Sequence, residues 1–312
     1  MPRASGLGFT NVVNIASTRA PAPLSIASYP APVVVLAPRV TLVAWNGAMF
    51  AFHALLATVT LVFGNHDLNV PVFKTRLDFR YTDPFSGMVE SKRTWEIVPL
   101  YEEAGSLPFT WLVALFFLLS SGFHLANITL WKEYYFYNLD RCYSPTRWLE
   151  YTLSAPVMIL LISYTLGIRN REVLLANFVL VLITMPFGYW VEVVSRPVSK
   201  DEWNKPLVRR LYPWMLGHIP QATAWLLIIN TFYGGQDQTD KAPWFVHAIL
   251  WVEFVLFFSF GAASVLSQAQ TPETFYRGEL LFQLLSLVSK GLLGMLLIVN
   301  VLMLSRFDDL YD

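Results

Sequence analysis

Charge is scarce in this chain. Only 14% of its 312 residues are charged, while 55% are hydrophobic and 15% aromatic. Soluble domains carry about 25% charged residues, so this composition cannot coat a water-facing surface and points to a membrane. Lysine plus arginine balance aspartate plus glutamate to a formal net charge of zero, and a neutral chain is a poor partner for nucleic acid. Cysteine is nearly absent. Cys142 stands alone, which excludes an intramolecular disulfide and a thiolate metal cluster. Acidic residues are missing from the start of the chain, and Asp67 is the first.

That acid-free start includes residues 1–38, rich in Ala, Pro and Ser and carrying Arg3 and Arg19. It reads as a disordered cytoplasmic tail or as a basic, Ser-rich targeting segment. Its one apolar run, PVVVLAP, is too short for the core of a signal peptide.

Long hydrophobic runs, by contrast, are plentiful. Seven segments approach the ~20 residues that cross a bilayer, at about 41–63, 108–131, 146–168, 173–195, 208–231, 243–267 and 279–304. The predicted fold is an all-α bundle of seven transmembrane helices. Pro156, Pro186 and Pro220 fall inside spans, where neighbouring helices can satisfy the freed carbonyls. One set of connections holds Arg3, Arg19, Arg39, Lys132, Arg141, Arg196, Lys200, Lys205, Arg209, Arg210 and Arg277. The other set's short segments hold Arg169, Arg171, Lys241 and Arg306. The positive-inside rule then puts the N-terminus in the cytoplasm and the tail 306–312 outside. The long first loop, 64–107, alternates in places (Phe73, Arg76, Asp78, Arg80; Thr94, Glu96, Val98) around Asp-Pro and Ser-Gly turn signals. It reads as an extracellular β-hairpin, a cap or oligomer contact, with a plain connecting loop as the alternative.

Few ionisable residues fall within the spans: Glu150, Glu192, Glu253, Lys290, His53, His124 and His218. A charge at bilayer depth costs roughly 2.5–3.5 kcal/mol or more, so each is a functional candidate. In the seventh span Glu279, Gln283, Ser286 and Lys290 recur at helical spacing, with Gly294 continuing the stripe. Such a stripe should face the bundle interior, with Ser286 one turn before the lysine. The alternative, a lysine snorkelling to the interface, requires a nearby span end, and Lys290 has none. In the third span Arg147, Glu150, Tyr151 and Ser154 share a face; Arg147 and Glu150 could also form an interfacial ion pair. At 1.5 Å per residue Glu150 lies about 7 Å past Pro145 and Lys290 about 16 Å past Glu279, so a lysine stem leaning back toward its helix start brings the nitrogen within a turn of Glu150.

A lysine in an apolar site loses its proton easily and attacks carbonyls. Condensed with an aldehyde and protonated, it needs a counter-ion, which Glu150 would supply. Trp214, Trp225, Trp251, Phe254, Phe257, Phe258 and Phe260 could sandwich a long apolar chromophore, or be ordinary helix packing.

Seven spans with a lysine in the middle of the seventh is a rhodopsin arrangement, and the motifs resemble the heliorhodopsins, microbial-type rhodopsins of inverted topology. The resemblance runs from about residue 39 to 305. It rests on GELLFQLLSLVSK in the seventh span, RWLEYTLSA in the third, WNGAMFAFH in the first and LLSSGFH in the second. It implies all-trans retinal on Lys290 as a protonated Schiff base, with Glu150 as counter-ion and Ser286 and Ser154 beside it. It implies a polar cavity of His53, His124, Asn46, Arg147 and Glu279 tied to proton movement. It also implies a pocket lined by Met185, Gly188, Phe254 and Phe258, and a homodimer to which the hairpin contributes. The expected role is a sensory or regulatory photoreceptor in the lipid membrane, not an enzyme. The alternatives are a light-gated proton channel or transporter with Glu253 and Glu192 as a relay, and a retinal-free transporter or enzyme with a structural Lys–Glu pair. Glu192, close to a span end, reads equally as a solvated interfacial group.

Overall fold

The computed structural model describes residues 34–82, 94–195, 206–234 and 241–302. The chain folds into a bundle of seven long helices: α1 (Arg39–Phe63), α2 (Phe109–Ile128), α4 (Pro145–Thr165), α5 (Arg171–Ser195), α7 (Tyr212–Gly234), α8 (Trp244–Ala269) and α9 (Phe275–Leu297). The last runs into one π-helical stretch, Ile298–Leu302. Two short helices, α3 (Lys132–Leu139) and α6 (Leu207–Arg210), precede α4 and α7. Prolines mark several starts. Pro38, Pro108 and Pro243 directly precede α1, α2 and α8, and Pro145 opens α4, where a missing N–H leaves no bond unmade.

Among the described residues five helices, α1, α2, α5, α8 and the α9 region, are long and apolar enough by themselves to cross a membrane. The other two carry more polar residues. One of them, α4, is buried along most of its length and packs on α2 and α5. Outward-facing Leu55, Leu118, Leu175, Val255 and Met295 are exposed, as lipid-facing side chains must be.

Two expectations shift. The fifth long helix starts at Tyr212, not 208, because α6 ends at Arg210 and the chain breaks at Leu211, just before Pro213. Helix α3 had no sequence signature, since KEYYFYNL lacks an apolar run.

The first loop is a hairpin. Strands β1 (Asn69–Thr82) and β2 (Thr94–Pro108) pair antiparallel, and the register slips between Val72 and Phe73. At the slip Gly105 has φ +125°, open to glycine and strained for other residues. Beyond it Lys74 and Arg76 reach Glu102 on one face. Leu77, Phe79, Ile97 and Tyr101 lie exposed on the other. The hairpin's turn, the tail 1–33 and the C-terminal tail lie outside the described residues. Just before α1, Val35 and Ala37 donate backbone hydrogen bonds to Asp140 and Arg39 pairs with its carboxylate at 3.1 Å.

The interior is divided. The large hydrophobic core fills the hairpin end, with Val70, Phe109, Phe117, Ile162, Phe232, Val246 and Leu297 among its members. Toward the opposite end the buried residues include Asn46, Asn127, Arg147, Glu192 and Glu279.

Candidate functional site

Lys290 sits in mid-α9 and is only 4% exposed, so its ammonium does not reach an interface. Nζ donates to Glu150 Oε1 at 2.6 Å, Ser154 Oγ at 3.0 Å and Ser120 Oγ at 2.5 Å. An ammonium has three hydrogens, and here each has an acceptor. The faces of Phe116 and Tyr151 lie 5.6 and 5.5 Å from the nitrogen. The structure therefore joins the lysine of α9 to the carboxylate and serine of α4 and to a serine of α2. The α2 serine went unassigned in the sequence, although it stands in the LLSSGFH motif. Ser286 is buried one turn away, but it is not among the hydrogen-bond partners of Nζ.

A chain of polar groups leads away from Glu150. Its Oε2 lies 3.9 Å from His124 Nε2. His124 Nδ1 meets Asn46 Oδ1 at 2.9 Å. Asn46 Nδ2 donates to Leu42 O and to Tyr135 OH, which fixes Oδ1 as an acceptor and Nδ1 of His124 as the protonated nitrogen. Nε2 of His124 thus offers a lone pair toward Glu150. His53 stacks on His124 at 5.8 Å and directs Nδ1 to Met49 O at 2.8 Å, so its Nε2 is bare too.

Farther along, Tyr135 OH donates to Glu279 Oε1 at 3.1 Å, and Gln283 contacts both groups. Arg147 then bridges Glu279 and Glu192 with its two terminal nitrogens. Glu192 also accepts from Ser144 N, at the start of α4, at 2.8 Å. A carboxylate there complements the helix dipole. Two expectations are corrected. Arg147 pairs with Glu192 and Glu279 and not with Glu150. Glu192 is 1% exposed and not solvated, because α4's first turn and Arg147 enclose it. Tyr135, from the unforeseen α3, is the link that sequence reasoning missed.

Glu253 stands apart. It is fully buried on α8. Its Oε2 accepts from Ser289 Oγ at 2.8 Å, and Oε1 has no partner among the described residues. Ser289 adjoins Lys290 in the chain, but the acid it meets lies outside the Glu150 chain. The structure does not bring Glu253 and Glu192 together: Glu192 belongs to the Arg147 cluster.

Beside Lys290 opens a cleft with largely apolar walls between α4, α5, α7 and α8. Met185 and Gly188 line it. A Cβ on Gly188 would lie 2.0 Å from the Trp148 ring, so the missing side chain is what lets that ring form the wall. Of the candidate aromatics, Trp214, Phe257 and Phe260 line the cleft. Phe254 and Phe258 do not. Phe254 packs on Trp225 and Trp251, and Phe258 on Phe254. Each helical residue turns the side chain by about 100°, and the expected register on α8 was off by that turn.

The site suits retinal on this evidence: a buried amine on the wall of a long apolar cleft, with a carboxylate in place for a cation at that nitrogen. A family model described as heliorhodopsin matches residues 42–302, most of the chain. No curated protein matches it. The chain therefore belongs to the heliorhodopsin family, rhodopsin-type proteins of the membrane built as seven-helix bundles around a retinal chromophore.

Proposed function

We propose that this protein is a sensory or regulatory photoreceptor that carries all-trans retinal on Lys290, with Glu150 as counter-ion. The observation that carries the reading is the Lys290 nitrogen, fully hydrogen-bonded to Glu150, Ser154 and Ser120 at the edge of an apolar cleft. Retinal bound there supplies visible absorption and a double bond that isomerises in light. The rest belongs to the chain. Glu150 balances the positive nitrogen, and the two serines fix its direction. Trp148, Phe257 and Phe260 hold the polyene and exclude water. With retinal bound, Glu150 would be the base that faces the nitrogen, and the Nε2 of His124, 3.9 Å from that carboxylate, would be the group placed to share a proton with it. Asn46, Tyr135 and Glu279 offer the onward steps.

The basic connections orient the N-terminus toward the cytoplasm, and the hairpin then lies outside. Its exposed apolar face, Leu77, Phe79, Ile97 and Tyr101, suits contact with a second copy in a dimer.

The test is expression with all-trans retinal. A visible band that hydroxylamine bleaches and Lys290→Ala abolishes is expected. Well-folded protein without a band would sink the reading and leave a structural Lys–Glu pair.

One observation favours proton transport as a second reading: Glu253 beside Ser289, with one oxygen that has no partner among the described residues. Photocurrent under voltage clamp separates the two. A current lost in Glu253→Gln supports the relay; a current that survives the substitution removes Glu253 from it.

A further inference from the structure

The cleft's far wall is formed by α7, which packs chiefly on α5, with α8 as its other long neighbour, across the bundle from the lysine helix. The polar side chains that α5 and α7 contribute to the lining are Thr184, Trp214, His218 and Gln221. Each directs a hydrogen to a backbone carbonyl. Thr184 Oγ1 donates to Leu180 O at 2.9 Å. Trp214 Nε1 donates to Gly261 O at 2.8 Å, and Gln221 Nε2 to Phe257 O at 3.1 Å. His218 Nδ1 lies 2.8 Å from Trp214 O. A carbonyl can only accept, so Nδ1 carries the hydrogen and Nε2 of the neutral ring is a lone pair.

Nε2 lies against Gly261, a residue that also lines the cleft. A Cβ on Gly261 would lie 2.5 Å from His218 Nε2, so the absent side chain gives the imidazole edge its place in the cleft wall. The hydroxyl of Thr184 and the amide oxygen of Gln221 add acceptor capacity on the same side. This end of the cleft therefore has its donors largely committed and its acceptors on offer. An acceptor inside an apolar site is costly to leave unmet, and a ligand that donates there relieves the cost.

We propose that the end of the cleft remote from Lys290 is an acceptor-lined subsite, centred on His218 Nε2, that selects a retinoid bearing a hydroxyl on its ring. The inference rests on the reading of the cleft as a retinal site. The ring hydroxyl donates to His218, with Gln221 and Thr184 as flanking acceptors. A ring carbonyl on the neighbouring ring carbon brings a fourth set of lone pairs against these three and is disfavoured. The resulting order of preference is hydroxylated ring, then plain ring, then oxo ring.

The test is a competition on the full-length apoprotein in membranes. Equal limiting amounts of all-trans retinal and all-trans 3-hydroxyretinal are added, the linkage to Lys290 is reduced with borohydride, and the adducts are counted by mass spectrometry. A second competition sets retinal against 4-oxoretinal. The hydroxylated adduct is expected in about tenfold excess, the worth of one well-placed neutral hydrogen bond, with the oxo adduct below retinal. His218→Phe is expected to bring the first ratio near one; Gln221→Leu, expected to reduce it, serves if the histidine variant fails to fold. A wild-type ratio within twofold of one overturns the subsite, as does an excess that survives both substitutions. Equal adducts with all three aldehydes leave the photoreceptor reading standing and overturn only the subsite. No adduct and no visible band with any of them overturns both.

Discussion

On one side of Lys290 polar groups are chained; on the other a single acid is nearly alone. Glu150, His124, Asn46, Tyr135, Glu279, Arg147 and Glu192 follow one another at contact or near-contact distances. Among the described residues Glu253 has one hydrogen bond, from Ser289. The difference teaches where a proton can go. From His124 through Asn46 and Tyr135 to Glu279 each hydrogen donor faces an acceptor in turn. At Glu253 a proton has one short step and no continuation among the described residues.

The largest effects should come from breaking the chained side. Arg147→Gln leaves Glu192 and Glu279 buried without their shared cation. Removing one member of a buried ion pair costs about 3–5 kcal/mol, so thermal unfolding in detergent should fall steeply. An unchanged midpoint would mean that the two acids are already neutral. Glu150→Gln is next: it removes the charge facing the nitrogen, and the retinal band should move to the red. A band at the same wavelength would transfer the counter-ion role elsewhere.

Asn46→Leu cuts the chain in its middle and strands His124 Nδ1, at about 1–3 kcal/mol for the unmet buried group, while Tyr135 keeps Glu279 and Gln283. A pH-indicator dye should report slowed proton return after a flash, and unaltered kinetics would show that protons bypass Asn46. The smallest effect belongs to the sparse side. Glu253→Gln keeps an acceptor for Ser289 and should change stability by under about 1 kcal/mol. A much larger loss would reveal an unseen partner for the carboxylate.

How much of this was legible depended on whether a group's partner lay at helical spacing or across helices. The stripe Glu279, Gln283, Ser286 and Lys290 follows from periodicity, and depth along two helices brought Glu150 near the amine. Ser120 and Ser121 are both buried, and nothing in an apolar helix tells which of two adjacent serines reaches the lysine. Glu192 looked solvated because distance from a span end was the only measure; its enclosure comes from Ser144 and Arg147, 48 and 45 positions away. Tyr135 could not be placed without α3. The cleft wall on α8 failed by a single helical step, enough to exchange Phe257 for Phe258.

The contact between Gly188 and Trp148 has a consequence for tolerated variation. The indole occupies the room that any side chain at 188 would need, so the two positions share one fixed volume. Ala or Val at 188 should be accepted only with a smaller residue at 148, and the paired exchange should restore what either change alone removes. Seen this way, the cleft is bounded by a two-residue quota: substitutions there are admissible as pairs and rejected singly.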